Sequence, residues 1–332
     1  MNARTGDPRR KFLVGVGRMA ALAVFLCIGA SDPALAAYPE KPIKIVVPTQ
    51  AGGGMDSVAR ILQRYFESHP DVLGADVVIV NMPGAGGTIG TREIKDAAPD
   101  GYTVGFWHEG LITSAAMGVS DFDHESFEIL GATGYGDLGF GVSVNSPYQT
   151  FGELIEAARE HPDTVKCATN VGLPVHFVPL MVADAAGVQF RYVQTGGGAK
   201  RFPSVVAMHT DFAIFGSLEF IKWADADLKP IVMFSEERLE QLPDVPTARE
   251  QGIDVIAKAN RIWLAPKGTP EDIRDHLVNA LRTAMADEEV QARFNELGVV
   301  PAYVEPDALR AELDGWKAHT EPLVAKAREL QK

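Results

Sequence analysis

The chain has 332 residues, enough for two ordinary domains, and its 46% hydrophobic and 23% charged residues exclude a disordered chain. With 31 Lys/Arg against 44 Asp/Glu the formal charge is −13, which argues against a nucleic-acid binder but not against a small anion held by local dipoles. Two cysteines exclude a disulfide framework and a cysteine-rich metal site.

Arg9, Arg10 and Lys11 precede an apolar run from Met19 to Ile28, and small residues lead out to Ala34-Leu35-Ala36. This layout predicts a secretory signal over residues 1–36, cleaved after Ala36. The run is too short to span a bilayer comfortably. Sec export is expected over the twin-arginine route, because no Ser or Thr precedes the Arg9-Arg10 pair. Leu26, where a small residue should stand before Cys27, argues against lipidation. Processing removes five basic and two acidic residues, which leaves 26 against 42, a net charge of −16, and a single cysteine, Cys167. No later stretch is apolar enough to cross a membrane, so a soluble periplasmic product is expected.

Along the processed chain, Ile43 to Val47 reads as a β-branched strand. Gly52-Gly53-Gly54 follows, and Val58, Ile61, Leu62, Tyr65 and Phe66 recur at helical spacing, with Asp56 or Ser57 as a cap. Val77–Val80 is the next strand and runs into Asn81-Met82-Pro83-Gly84-Ala85-Gly86-Gly87, then a helix through Ile89 to Ala98. Thr103–Phe106 is a third strand. Such alternation predicts α/β architecture with a largely parallel sheet. Strands are expected again at 140–144, 165–168, 190–193, 212–215 and 231–234, with helices at 151–160, 175–186 and after Gly196-Gly197-Gly198. The end reads as helical. Thr269-Pro270-Glu271-Asp272 is a capped start. Ile273, Leu277, Leu281 and Met285 mark one buried face, Val290, Phe294 and Leu297 a second, and Leu309, Leu313 and Trp316 a third.

Several strand-to-helix junctions are glycine-rich: 52–54, 84–87, 196–198 and, more weakly, Gly172. A helix N-terminus presents unpaired N–H groups and a partial positive charge. Glycine permits close approach and positive φ. Four such junctions at corresponding points of two α/β halves point to an anion site that needs no buried lysine or arginine. Arg201 and Arg261 can assist, but both read as helical and solvent-facing. Enzyme signatures fit poorly. In Gly84-Ala85-Gly86-Gly87-Thr88-Ile89-Gly90 the third glycine of a dinucleotide fingerprint falls one position late, and no P-loop, nucleophile elbow or metal-ligand histidine spacing is present. His108-Glu109 beside Trp107 is the most chemical-looking cluster. It leaves open an exported hydrolase or lyase in which the two form an acid–base pair.

These motifs together resemble the extracytoplasmic solute-binding proteins of the tripartite tricarboxylate transporters, the Bug family. Tyr38-Pro39-Glu40-Lys41-Pro42-Ile43 is similar to the family's opening, and Val47-Pro48 with Gly52-Gly53-Gly54-Met55-Asp56 and Ala59-Arg60 to its first glycine loop and helix. Asn81 to Gly90 is similar to N-R-P-G-A-G-G-x-x-G, with Met82 at the arginine. Ala98 to Thr103, Leu242 to Thr247 and Ala265 to Pro270 supply later landmarks, and the likeness covers residues 38–330. It implies a two-lobed class II periplasmic binding protein fold, each lobe a mainly parallel sheet flanked by helices. Lobe one would comprise 37–140 plus 261–332, and lobe two 141–260.

The resemblance further implies a small carboxylate held between the lobes. The 48–56 and 81–88 loops would hold it through backbone N–H groups and ordered water, and lobe two would contribute 168–176, 194–198 and the segment from Asp211. The implied ligand-binding residues are Gly52, Gly53, Gly54, Asp56, Asn81, Gly84, Ala85, Gly86, Gly87, Thr88, His108, Thr169, Asn170, His176, Gly196, Gly197 and Asp211. No cofactor or metal is expected. The partners would be the large and small membrane subunits of such a transporter, or a sensor instead, and the chain would act as a monomer. Thr169 to His176, Gln194-Thr195-Gly196, Phe215-Gly216-Ser217 and Trp107-His108-Glu109 depart from the family pattern, so the ligand's body is expected to differ from common cargo. Trp107 and Phe215 either meet an apolar body or pack in the core.

Overall fold

The computed structural model describes residue 1 and residues 38–170, 173–195 and 198–329. The expected signal segment with Cys27, and the turn residues Val171, Gly172, Gly196 and Gly197, lie outside the described residues. From Pro39 the chain forms a unit of its own, built on ten strands among the described residues. They are β1 (Ile43–Val47), β2 (Val77–Asn81), β3 (Thr103–Trp107), β4 (Phe127–Ser143), β5 (Lys166–Thr169), β6 (Arg191–Gln194), β7 (Phe212–Gly216), β8 (Leu228–Met233), β9 (Lys258–Pro266) and β10 (Val300–Val304).

The sheet runs β2-β1-β3-β9-β4-β7-β5-β6, and β8 and β10 also pair with β4. Two parallel groups stand at its ends. In one, Ile45 of β1 faces Ile79 of β2 and Val104 of β3; in the other, Ala168 of β5 faces Val193 of β6 and Ala213 of β7. Strands buried on both faces can be continuously β-branched, as Ile43 to Val47 are. Antiparallel pairing is confined to contacts of β4 and β9. The first half of β4 lies beside β9 and β10, and its second half beside β7 and β8. β9 also pairs with β3. β4 thus carries the chain from one section to the other, and β9 runs back alongside β3.

Strand β4 is longer than the sequence reading, which begins at Phe140. Gly131, Gly134, Gly139 and Gly141 argue against a strand by propensity. Each is required by packing: a Cβ at Gly139 would overlap the Val232 carbonyl and the Met233 sulfur, and one at Gly134 the Val300 carbonyl. Glycine here lets neighbouring backbones approach. The core of the second section is aromatic, with the Phe140 ring 4.6 Å from Phe212 and 4.8 Å from Phe234. Phe215 is fully buried in an adjoining cluster with Phe220 and Met233, so it takes the core alternative.

The C-terminal helix start differs in detail from its sequence reading. The helix spans Glu271–Met285 without a side-chain cap, and the Thr269 hydroxyl instead donates to the Pro266 carbonyl at 2.8 Å. Beyond Thr320 the chain packs across to the second section, where Leu323 and Ala327 join Met117, Phe177 and Leu180 in one apolar cluster. No helix among the described residues is long and apolar enough to cross a membrane.

Candidate functional site

In a parallel sheet, ligands collect beyond the carboxyl ends of the strands. Here those ends carry the loops after β1, β2 and β3 in one section and after β5, β6 and β7 in the other. The two sets meet: a Cβ placed on Gly86 would lie 3.1 Å from Leu173 Cδ2 and 3.9 Å from Ser114 Oγ. Leu173 belongs to the loop after β5, and Ser114 to the short helix Gly110–Ala116 after β3.

The loop after β2 has an unusual backbone. Gly84, Ala85, Gly86 and Gly87 all have positive φ, at 129°, 44°, 67° and 94°. This turn is closed by Gly87 N–H to the Gly84 carbonyl at 2.8 Å and by Thr88 Oγ1 to the Ala85 carbonyl at 2.8 Å. Thr88 is therefore occupied with its own loop. Positive φ at four consecutive residues makes a tight turn that a glycine-rich sequence adopts readily. The Ala85 and Gly86 amides donate no hydrogen bond among the described residues. The Ser114 hydroxyl beside them is 1% exposed and has no partner.

The loop after β1 is held by the protein itself. Asp56, 2% exposed, accepts from Gly52 N–H at 2.8 Å and from Arg60 Nε at 2.9 Å. Burial works to raise its pKa, but the hydrogen bonds from Arg60, Gly52 and the Asn81 amide outweigh burial and leave it below its ordinary value. The Met82 N–H donates to the Val47 carbonyl at 2.9 Å and fastens the loops after β1 and β2 to each other. Gly53 and Gly54 begin the helix Gly54–Ser68, with Gly53 accepting from Ser57 N–H at 2.9 Å.

After β3, Trp107 is 4% exposed, and its ring occupies the space a Cβ at Gly87 would need. It serves as packing for the glycine loop and stacks on His108 with centroids 4.0 Å apart. His108 Nδ1 accepts from Gly110 N–H at 2.9 Å, so its neutral ring carries the proton on Nε2. Burial, reinforced by the Arg261 charge, lowers its pKa to about 3, and the ring is neutral at ordinary pH. Glu109 turns to the crossover strand, where its two oxygens face Asn260 N–H at 3.1 and 3.3 Å. Burial raises its pKa to about 7. His108 and Glu109 therefore bind different backbone amides and do not form the acid–base pair that an exported hydrolase or lyase would need.

In the second section Thr169 Oγ1 donates to the Val175 carbonyl at 2.8 Å, and Asn170 Oδ1 accepts from Gln194 Nε2 at 2.8 Å. These bonds tie the loops after β5 and β6. His176 is buried, edge-on to Tyr192 and Phe177, and burial lowers its pKa to about 4. Asp211 stands apart. It precedes β7, and its carboxylate accepts from Lys166 N–H at 2.6 Å, at the start of β5. That is the amino end of both strands, opposite the loops, so the structure corrects its placement at the site: it closes a strand end.

The reading of Arg201 and Arg261 as helical and solvent-facing is corrected in part for each. Arg201 is 6% exposed, in the helix Gly198–Val206, with its guanidinium 5.9 Å from the Phe215 ring. Arg261 is on β9, not on a helix, with Nε shielded from solvent. Burial lowers the pKa of both, that of Arg261 to about 10, so both stay charged. Arg201 is buried and Arg261 is half-buried. Ser114 escapes a sequence reading because nothing in its local pattern separates it from other core residues.

An α/β chain whose curled sheet joins two loop-bearing sections through crossing strands defines a class II periplasmic binding protein. The solved periplasmic binding protein BugD has this fold, with a TM-score of 0.74 and 30% identity, covering 87% of this chain and 98% of that one. MatC from Rhodopseudomonas palustris, solved with bound malate, has a TM-score of 0.75 at 25% identity, covering 86% and 100%. A UPF0065 protein from the TAR-I ttuE-ttuC′ intergenic region of Agrobacterium vitis is 30% identical over 336 residues, 98% of this chain and 96% of its own length. Residues 58–320 match the tripartite tricarboxylate transporter family receptor, and the chain belongs to that family.

Proposed function

We propose that the protein is an exported periplasmic receptor that captures a small organic carboxylate between its two sheet sections and delivers it to the large and small membrane subunits of a tripartite transporter. The observation that carries this reading is the loop 84–87, with two undonated amides beside the buried, unpartnered Ser114 hydroxyl. A carboxylate oxygen there would accept from the exposed Ala85 and Gly86 amides and give the buried Ser114 hydroxyl a partner. The malate bound by MatC supports the same ligand class. Residues 37–140 with 261–332 would act as one lobe and 141–260 as the other. Differential affinity for the closed arrangement would drive closure, and the transporter would read the closed shape. Residues 1–36 would be the cleaved signal, and the protein would act as a monomer.

Calorimetric titration of the purified protein with mono-, di-, tri- and aromatic carboxylates tests this. At one hundred times its Kd the right ligand should stabilise the fold by about 2.7 kcal/mol. Gly86→Asp puts a negative charge beside the Ala85 and Gly86 amides and should abolish that binding. No binding across the panel, or unchanged affinity in Gly86→Asp, overturns the reading.

A further inference from the structure

The crossover strand brings a cation to the place where the two loop sets converge. Trp107 faces Ile262 across the β3–β9 pairing, which sets Arg261 beside the end of β3, and Glu109, after β3, and Glu219, after β7, act on its charge. Those are the carboxyl ends of one parallel strand from each section. The guanidinium spends one hydrogen bond, Nη1 to the Ala259 carbonyl at 2.9 Å, and forms no ion pair within 4.0 Å among the described residues. Its Nε is buried without a partner. Gly136 of β4 lies alongside, where a Cβ would stand 3.4 Å from Arg261 Nη2 in ordinary contact. Glu219 is turned to its own helix, accepting from Gly216 N–H at 2.8 Å, and Glu109 to Asn260. Neither carboxylate is spent on Arg261.

A guanidinium offers five donors in a planar fork suited to a carboxylate, and here the shielded Nε lacks a partner while the half-buried fork has donors to spare. His108 adds a donor, because Gly110 fixes the proton on Nε2. His108 is also linked to the glycine loop, since it stacks on Trp107, whose ring packs on Gly87.

We propose that Arg261, assisted by His108 Nε2–H, is the specificity-determining subsite for a second anionic group of the ligand, placed on the crossover strand and not on the loops of the second section. This deepens the carboxylate-receptor reading and rests on it. The first carboxylate takes the Ala85 and Gly86 amides with Ser114, and the second takes the guanidinium fork.

The test is calorimetric titration with two matched pairs, butyrate against succinate and hexanoate against adipate, on the wild type, Arg261→Gln and Arg261→Lys. The wild type should prefer at least one dicarboxylate over its monocarboxylate partner by about 10- to 100-fold. Arg261→Gln should reduce that ratio to near unity and leave monocarboxylate affinity in place, while Arg261→Lys should retain part of it. Equal wild-type affinity within both pairs overturns the subsite without any variant, and so does an undiminished preference in a folded Arg261→Gln. Gly86→Asp separates the two claims, because it should remove both members of each pair. If no carboxylate binds the wild type, the receptor reading fails and the subsite falls with it.

Discussion

Asp56 reaches back to Gly52, its Oδ2 accepting the glycine N–H at 2.8 Å, so a buried acid holds the first glycine loop to the helix that follows. Asp56→Ala leaves the Gly52 amide and the Arg60 guanidinium without this acceptor. A loss of about 1–3 kcal/mol is expected by urea unfolding, together with weaker ligand binding. The pH dependence has a definite sign. A carboxyl with a depressed folded pKa contributes fully above its unfolded value, near 3.8, and loses that contribution as pH falls through the lower folded value. The difference between wild type and Asp56→Ala should therefore be constant from neutrality to about pH 4 and shrink below it. A difference that does not change down to pH 2 would place the effect elsewhere.

Glu109 has the opposite sign. Burial raises its pKa from 4.5 to about 7, so between these values the folded state holds a proton that the unfolded chain has released. Glu109 then costs stability progressively as pH rises from 4.5 to 7, and the full cost is present above 7. Glu109→Gln keeps an acceptor for Asn260 N–H and removes the charge. It should match or exceed wild-type stability at pH 8 and lose that advantage by pH 4, as read from unfolding curves at the two pH values.

Cys167 is 0% exposed, and burial raises its thiol well above the ordinary range. The thiolate is the reactive form. In the processed chain, labelling by a thiol reagent should therefore be very slow in the native state and complete in denaturant. Bound ligand should slow it further, by the factor with which it stabilises the fold. Rapid native labelling would mean that the second section opens locally.

How far the fold could be read from sequence depended on which force wrote each segment. β1, β2 and β3 announce themselves through β-branched runs that burial requires, and the glycine loops announce themselves because positive φ at Gly84, Gly86 and Gly87 demands glycine. The crossover strands are hidden. β4 carries glycines imposed by partners distant in sequence, such as Val232 and Val300, and propensity reads them as breakers. β9 opens with Lys258, Asn260 and Arg261, polar residues whose burial only the assembled sections make sense of. β10 contains Pro301 and meets β4 in an irregular register. At the candidate site the glycines that shape backbone were legible, Arg261 was legible only as a candidate helper with its strand placement hidden, and the Ser114 hydroxyl was not legible at all.

Leu173 bears on closure. Its Cδ2 lies within van der Waals reach of Gly86, a contact between loops of opposite sections. On the proposed closure such a contact exists only with the sections together, so its apolar burial would favour the closed arrangement whether or not ligand is present. Leu173→Ala removes that part of the closing energy and leaves the carboxylate's own donors untouched. Loss of about 1–2 kcal/mol of apolar burial should weaken carboxylate affinity about 5- to 30-fold. The change should fall mainly on the dissociation rate, since the open form that admits ligand is unaltered. Leu173 is outside the buried core clusters, so thermal stability without ligand should shift little. Stopped-flow binding with melting curves on the same samples separates the cases. A slower association with an unchanged dissociation rate would show that Leu173 shapes entry to the cleft instead of holding it shut.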